Sequence, residues 1–125
     1  MDTVLDHRVI NELLLFADDG DPELLVDLIQ MFLDDGPAKV EAVNIGLANG
    51  NFEMAERAAH SLKGSSGCLG AKLVQATCEQ LEQSTHMREL EASRKLAPKL
   101  ETTYAAAEQA LKLVLAEHQN QVAHL

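Results

Sequence analysis

His60 is the residue best placed to do chemistry, because Lys63 follows it three positions later. Imidazole is a competent nucleophile near neutral pH, where much of it carries no extra proton. On a helix, residues three apart share a face, so the Lys63 ammonium can lie beside any group that the ring carries. A phosphoryl group in transfer needs such a positive charge, since its negative charge spreads over its equatorial oxygens. A His-Lys pair alone is common, so its position on the surrounding helices must show whether it forms a functional site.

The segment from Phe52 to about Leu69 predicts a helix that contains His60. Asn51 supplies a capping side chain before this helix, and Gly70 supplies a stop signal after it. At about 100° per residue, the core stripe falls opposite His60. That stripe consists of Ala58, Leu62, Ser65 and Leu69. The face that carries His60 also carries Glu56, Lys63, Gly64 and Gly67. We therefore expect His60 to point away from the core.

Two glycines, Gly64 and Gly67, lie inside the predicted helix on the face of His60. Each costs about 1 kcal/mol relative to alanine in a helix interior. One interpretation is that the bare surface lets another protein come close to the imidazole. The other is that a neighbouring helix of the same chain packs tightly against the glycines. The spacing favours neither interpretation over the other.

Glu82 is predicted to lie beside His60 if the chain reverses near position 71 into an antiparallel helix pair. Residues equidistant from the turn then lie at the same height, and both residues are eleven positions from residue 71. Glu82 could accept a hydrogen bond from the Nδ1–H of His60, which would fix the tautomer and leave Nε2 exposed. The same symmetry places Glu79 near Lys63. An ordinary solvated carboxylate at position 82 is the alternative.

The rest of the chain reads as further helices between turn signals, without strand-like alternation. Asp6 caps a first helix, which stops in the polar run at residues 18–21. The remaining predicted helices start at Asp21-Pro22-Glu23, run from Gly36-Pro37 to Asn49-Gly50, run from Ala71 to about residue 84 or 85, and run from near Met87 past Leu111. Pro98 is expected to kink or split the last of these helices.

The predicted fold class is all-α, a four-helix bundle of up-down-up-down topology with one or two short N-terminal helices packed across one end. The composition agrees, because 46% of the residues are hydrophobic but only 3% are aromatic. A length of 125 residues fits one domain that spans residues 1–125. We expect its core at about residues 5–118 and a frayed tail from about residue 119.

The net charge of −10 and the isoelectric point of about 4.8 disfavour anionic partners such as nucleic acid and membrane surfaces. Apolar runs are too short to span a bilayer and the acidic start is unlike a signal peptide, so we expect a cytoplasmic protein. Cys68 and Cys78 are expected to be reduced and mostly buried thiols. The spacing of ligand-type residues predicts no metal site, and no ATP-binding loop is present in the sequence, so we expect no cofactor.

Residues 59–66 read AHSLKGSS and residues 69–71 read LGA, and this stretch strongly resembles the signature of the histidine phosphotransfer (HPt) domain family. The sequence CEQLE at residues 78–82 resembles the family's next block. DPELL at residues 21–25 and the later Phe32 also resemble family positions, so the resemblance covers nearly the whole chain. Two details are less typical: Gly67 stands where a bulkier small residue is common, and Pro98 lies in the C-terminal helix.

The resemblance implies that His60 is an exposed phosphoacceptor in the middle of a helix and carries the phosphoryl group on Nε2. It also implies that Lys63 assists electrostatically and that Glu82 orients the imidazole. The receiver-docking face that it implies consists of Gly64, Gly67 and Glu56. The implied partners are a response-regulator receiver domain and a histidine kinase or hybrid kinase. Mg²⁺ and its acidic cluster would belong to the receiver, not to this chain.

The expected function is that of a monomeric phosphocarrier, not an enzyme, which exchanges a phosphoryl group between His60 and the aspartate of receiver domains in a two-component phosphorelay. Two alternatives stay open. The chain could be the phosphoacceptor module of a larger hybrid or chemotaxis-type histidine kinase. It could also be an adaptor that docks on receivers without transferring phosphate.

Overall fold

Five helices make up the part of the chain that the computed structural model describes, namely residues 4–16 and 21–123, with side chains as far as residue 118. They are α1 (His7–Phe16), α2 (Glu23–Ala48), α3 (Phe52–Cys68), α4 (Lys72–His86) and α5 (Leu90–Ala123). The four long helices form an up-down-up-down bundle in which each packs on the next and α5 closes on α2. None of the described helices is both long and apolar enough to cross a bilayer. The predicted all-α four-helix bundle is confirmed.

Helix α2 runs without interruption through Gly36 and Pro37, so the helix boundary predicted at these residues is wrong. One short helix therefore precedes the bundle in the described ranges. A proline removes a backbone donor, and its ring opposes the carbonyl four residues earlier. Near this point the Tyr104 hydroxyl of α5 donates to the Phe32 carbonyl oxygen at 2.9 Å, and the two ring centroids are 5.1 Å apart. Contact with α5 thus stabilises α2 where its sequence signals a break.

Helix α5 continues through Pro98, so this residue does not split it. The helix begins at Leu90, slightly later than predicted, because Arg88 adopts a φ of 58° in the turn after α4. The frayed C-terminal tail stays a prediction, since side chains beyond residue 118 lie outside the described part. Most of the polar run at residues 18–21 also lies outside it, and α1 is described as far as Phe16.

Helix α1 lies across the end of the bundle where α3 turns into α4. The backbone N–H of Asp6 donates to the Gly70 carbonyl oxygen at 2.8 Å, and Leu5 and Ile10 are buried in the core. Gly70 has a φ of 73°, and a Cβ on it would collide with the backbone of Asp6. Both the conformation and the space therefore require glycine here. The predicted position of a short N-terminal helix across one end is confirmed.

Helices α3 and α4 form the antiparallel hairpin that the turn near position 71 predicts. As predicted, the Asn51 side chain caps α3, accepting the Met54 N–H at 3.0 Å. The side of α3 that faces the core is built largely of small residues, which allow its neighbours to pack closely. Its buried residues are Ala55, Ala58, Ala59, Leu62 and Ser66. Of the predicted core stripe, Ser65 is only half-buried.

The two cysteines are both free, and they differ in environment. Cys78 is buried in α4 as expected, whereas Cys68 is exposed at the end of α3, so the expected burial is wrong for Cys68. Burial, reinforced by the nearby Glu82 carboxylate, raises the pKa of the Cys78 thiol to about 12. This thiol therefore stays protonated and unreactive near neutral pH.

Candidate functional site

His60 lies midway along α3, on the face of that helix turned to solvent. Its side chain is 70% exposed, whereas Ala59 and Leu62 are fully buried. The core therefore anchors the backbone at this point while the imidazole projects outward. A ring nitrogen in such a position is accessible to the reactive group of another molecule.

One carboxylate, that of Glu82 on α4, contacts both neighbouring side chains of α3. Its Oε2 lies 2.9 Å from Nδ1 of His60, and its Oε1 lies 2.6 Å from Nζ of Lys63. A carboxylate only accepts hydrogen bonds, so the proton of this contact belongs to Nδ1. The neutral imidazole consequently has its lone pair on Nε2. The height match predicts the contact of Glu82 with His60. It does not predict the contact of Glu82 with Lys63, which the structure shows.

The ion pair between Lys63 and Glu82 keeps both groups charged. The hydrogen bond from Lys63 lowers the pKa of Glu82, partial burial opposes this, and the contact with His60 lowers it further. In turn, the hydrogen bond to Glu82 raises the pKa of Lys63, with a smaller contribution from Glu79. A fixed positive charge therefore lies next to the imidazole at neutral pH. Glu79 also lines the groove beside Lys63, as the symmetry argument predicts.

The two glycines on the face of His60 have different surroundings. A Cβ added to Gly64 would meet nothing within 4 Å, so this position is open surface. A Cβ on Gly67 would approach the side-chain amide of Gln75 on α4 to 2.8 Å. The open-surface interpretation thus describes Gly64, and the close-packing interpretation describes Gly67. The role of both glycines in docking stays a prediction.

No metal centre is found in the described part of the chain, where no group of three or more His, Cys, Asp or Glu side chains is arranged to hold an ion. The expectation that the chain needs no cofactor stays a prediction.

Comparison with known proteins identifies the family of this chain. The family model described as "Hpt domain" matches residues 27–120, most of the chain. This chain belongs to the HPt domain family. The matched region contains α3 and α4 complete, and with them His60, Lys63 and Glu82.

Relatives of this HPt chain agree with the assignment. It is 31% identical over 77 residues to histidine-containing phosphotransfer protein 5 of Arabidopsis thaliana, a match that covers 59% of this chain and 48% of that protein. The matched region thus amounts to about half the length of this curated relative.

Solved structures show the same fold. Histidine-containing phosphotransfer protein B of Pseudomonas aeruginosa superposes with a TM-score of 0.82 at 25% identity, covering 94% of this chain and 98% of that one. The protein MtHPt2 of Medicago truncatula gives 0.79 at 25% identity, with 98% and 83% covered. The maize protein ZmHP2 gives 0.80 at 20% identity, with 96% and 88% covered, which is a likeness of fold. The curated relative and these solved structures are named as histidine-containing phosphotransfer proteins, in agreement with the family of this chain.

An apolar groove of about 100 Å³ lies between α2 and α3 of the HPt domain, and Ser65 and Cys68 line it on the side of α3. Its lining includes Leu28, Met31 and the exposed Cys68, and the Met31 side chain is 58% exposed. Sequence reasoning missed this surface because Met31 belongs to an i, i+4, i+7 stripe that reads as core. The stripe of Leu24, Leu25, Leu28, Met31 and Phe32 is wider than one buried helix face. This width could have indicated the exposed surface, since Leu24 and Met31 lie outside the buried face.

A second His–Glu pair lies beside the first one in the HPt domain. Nδ1 of His86, on α4, is 3.3 Å from Oε2 of Glu56, on α3. Both residues line an open groove of about 290 Å³ between the two helices, together with Lys63 and Glu82. Sequence reasoning gave His86 no role. The pair could have been found by the same height match, since 56 and 86 are each fifteen positions from residue 71.

Proposed function

We propose that this HPt chain accepts a phosphoryl group on Nε2 of His60 from the aspartyl phosphate of a receiver domain and can return it to such an aspartate. The observation that carries the proposal is the exposed imidazole whose Nδ1 is held 2.9 Å from Glu82. The family assignment supplies the reaction class. The identity of the acceptor atom rests on the geometry.

The transfer itself requires no prior loss of a proton. The Nε2 lone pair attacks phosphorus, and the N–P bond forms while the bond between phosphorus and the aspartate oxygen breaks. The receiver carboxylate leaves with the bonding electron pair. The phosphorylated ring keeps its Nδ1–H and becomes positively charged, and the Glu82 carboxylate stabilises that charge. The return reaction reverses each of these steps.

Four other residues support the exchange in this proposal. The Lys63 ammonium lies one helical turn from His60 and offsets the charge of the phosphoryl oxygens. Open surface at Gly64 lets the receiver come close, and the docking face extends over Gly67 and Glu56. The apolar groove between α2 and α3 adds buried area to this contact. Mg²⁺ is proposed to bind the receiver, and this chain to act as a cytoplasmic monomer.

The test is incubation of the protein with a receiver domain that carries labelled phosphate. We expect label on this chain that is stable to alkali and labile to acid, as a phosphoramidate on histidine is. The His60→Gln variant should take up none, whereas His7→Gln, a matched change on α1, should take up the normal amount. Full labelling of His60→Gln would refute the proposal. Normal receiver binding with no transfer would instead indicate an adaptor.

A further inference from the structure

The His86–Glu56 pair repeats the His60–Glu82 pair with the two helices exchanged. In each pair an imidazole Nδ1 faces a glutamate Oε2 across the hairpin, at 2.9 Å for His60 and 3.3 Å for His86. The His86 side chain is 73% exposed and that of Glu56 is 34% exposed. The second pair therefore lies at the surface, beside the nucleophile, and the phosphotransfer mechanism above does not use it.

Glu56 is a potential competitor for the nucleophilic ring. It precedes His60 by four residues on α3, and side chains with this spacing have Cβ atoms about 5–6 Å apart on one helix face. A glutamate four residues before a cationic side chain is also the favourable orientation for a contact along a helix. A second carboxylate on the ring would favour a proton on Nε2. That nitrogen could then no longer attack phosphorus.

We propose that His86 is a positioning residue that holds the Glu56 carboxylate on its Nδ1 and so keeps Nε2 of His60 unprotonated and free. Glu82 selects the nitrogen that carries the proton, and His86 keeps the other carboxylate away from the ring. The effect of His86 on the protonation of the His60 ring does not depend on the proposed function. Its consequence for the transfer rate rests on the proposed function.

Other charged groups around His60 are engaged elsewhere. On α3, Arg57 pairs with Glu53 at 2.6 Å, and Lys63 pairs with Glu82 at 2.6 Å. Further charged groups line the grooves beside α3: Glu79 of α4 lies in the groove with Lys63, and Asp35 and Lys39 of α2 lie in the groove on the opposite flank. Among the described contacts of Glu56, the hydrogen bond to His86 is therefore the one that restrains its carboxylate.

The test follows the ring nitrogens of His60 by ¹⁵N NMR in the full chain at fixed pH. In His86→Ala we expect the Nε2 resonance to move toward that of a protonated nitrogen. The rate of phosphoryl uptake should fall about twofold, the size of effect that an i, i+4 contact supports, and the pH profile of uptake should move to higher pH. Adding Glu56→Gln to His86→Ala should return the Nε2 resonance to its position in the unmodified protein. His86→Lys, which again offers Glu56 an N–H donor, should restore both the resonance and the uptake rate.

Glu53→Gln is the matched control, since it removes the same charge from α3 one turn farther from His60 and should leave the ring spectrum unchanged. A His86→Ala spectrum identical to that of the unmodified protein would overturn the proposal. So would a double variant whose Nε2 resonance stays displaced as in His86→Ala alone, or phosphate found on His86 itself. If the unmodified protein took up no phosphate, the proposed function would fail while the nitrogen spectra still decided this inference.

Discussion

Glu82 is the residue on which the chemistry of the site converges, because one carboxylate serves two partners with different tasks. Through Oε2 it fixes the proton of His60 on Nδ1, and through Oε1 it holds the Lys63 ammonium 2.6 Å away. Before transfer, Lys63 is thus kept charged and close to the imidazole. In the proposed transfer, the Lys63 ammonium and the Glu82 carboxylate are therefore in place before a phosphoryl group arrives on Nε2, and little reorganisation is needed.

Replacement of Glu82 should impair transfer more than it impairs folding. In Glu82→Ala the imidazole loses its acceptor and Lys63 loses its anchor, and we expect uptake of phosphate to slow by about tenfold, comparable to the loss of one charge-assisted hydrogen bond. Glu82→Gln retains an acceptor oxygen and should slow uptake less. The measurement is the rate of labelling by a phosphorylated receiver. Equal rates in Glu82→Ala and the unmodified protein would contradict the role assigned to this carboxylate.

The Glu82–Lys63 ion pair should also shape the dependence of stability on pH. The pKa of Glu82 is held below its usual 4.5, so its stabilising contribution is fully present above that value and is lost as the pH falls through the lower folded-state pKa. The pKa of Lys63 is raised above 10.5, so its contribution is lost only as the pH rises past that value. Urea unfolding of the unmodified protein and Glu82→Gln should therefore differ near pH 7 and converge in strong acid. A constant difference across the acid range would contradict this account.

Among the helices, α2 depends on its neighbour α5 for packing in the middle of its length. Its Gly36 is buried, and the space that a side chain would occupy is filled by the Tyr104 ring of α5. The hydroxyl of that ring reaches the Phe32 carbonyl oxygen one turn before Pro37. The glycine thus serves close packing of two helices in the middle of α2. It does not end a helix.

Alanine at Gly36 should consequently destabilise the protein although glycine is a poor helix former. We expect Gly36→Ala to lower the free energy of unfolding by about 1–3 kcal/mol, because its Cβ overlaps a buried ring. Tyr104→Phe should lower it by about 1 kcal/mol through loss of the hydrogen bond to Phe32. Gly64→Ala is the matched control and should raise it by up to about 1 kcal/mol, since its Cβ points into open space. Urea unfolding curves measure all three, and a stabilised Gly36→Ala would disprove the packing argument.

On the scale of the whole molecule, the residues that stabilise the fold and the residues proposed to contact partners lie in different parts of the bundle. The core lies among α2, α3, α4 and α5, while the outer face of α3 combines an exposed imidazole, an open glycine and an adjoining apolar groove. A surface with an apolar part beside polar reactive groups is typical of a protein interface. Side chains added at this face should therefore act on binding and leave folding intact.

A bulky residue at Gly64 tests that separation. Gly64→Leu should fold with unchanged or higher stability, because nothing lies within 4 Å of the added Cβ. Its affinity for a receiver domain should fall by about tenfold or more through steric overlap, and transfer should fall with it. Met31→Asp, across the apolar groove, should weaken binding in the same direction. Calorimetric titration with the receiver measures both; undiminished affinity in Gly64→Leu would place the docking face elsewhere.

The sequence by itself determined the features that depend on local periodicity. The stripe on α3 put His60 on the solvent side, Asn51 marked the start of that helix, and equal distances from residue 71 put Glu82 beside the imidazole. These arguments succeed because helical geometry and a short turn leave little freedom in how two adjacent helices align.

Only the tertiary structure decided the features that depend on residues far apart in the chain. Helix α2 continues through Pro37, and α5 packs against it near this point with Tyr104, which lies 72 positions beyond Phe32. Gly64 and Gly67 share one helix face, yet only the placement of Gln75 tells the open position from the packed one. Such contacts follow from packing between helices, and the apolar periodicity of a single helix does not specify that packing.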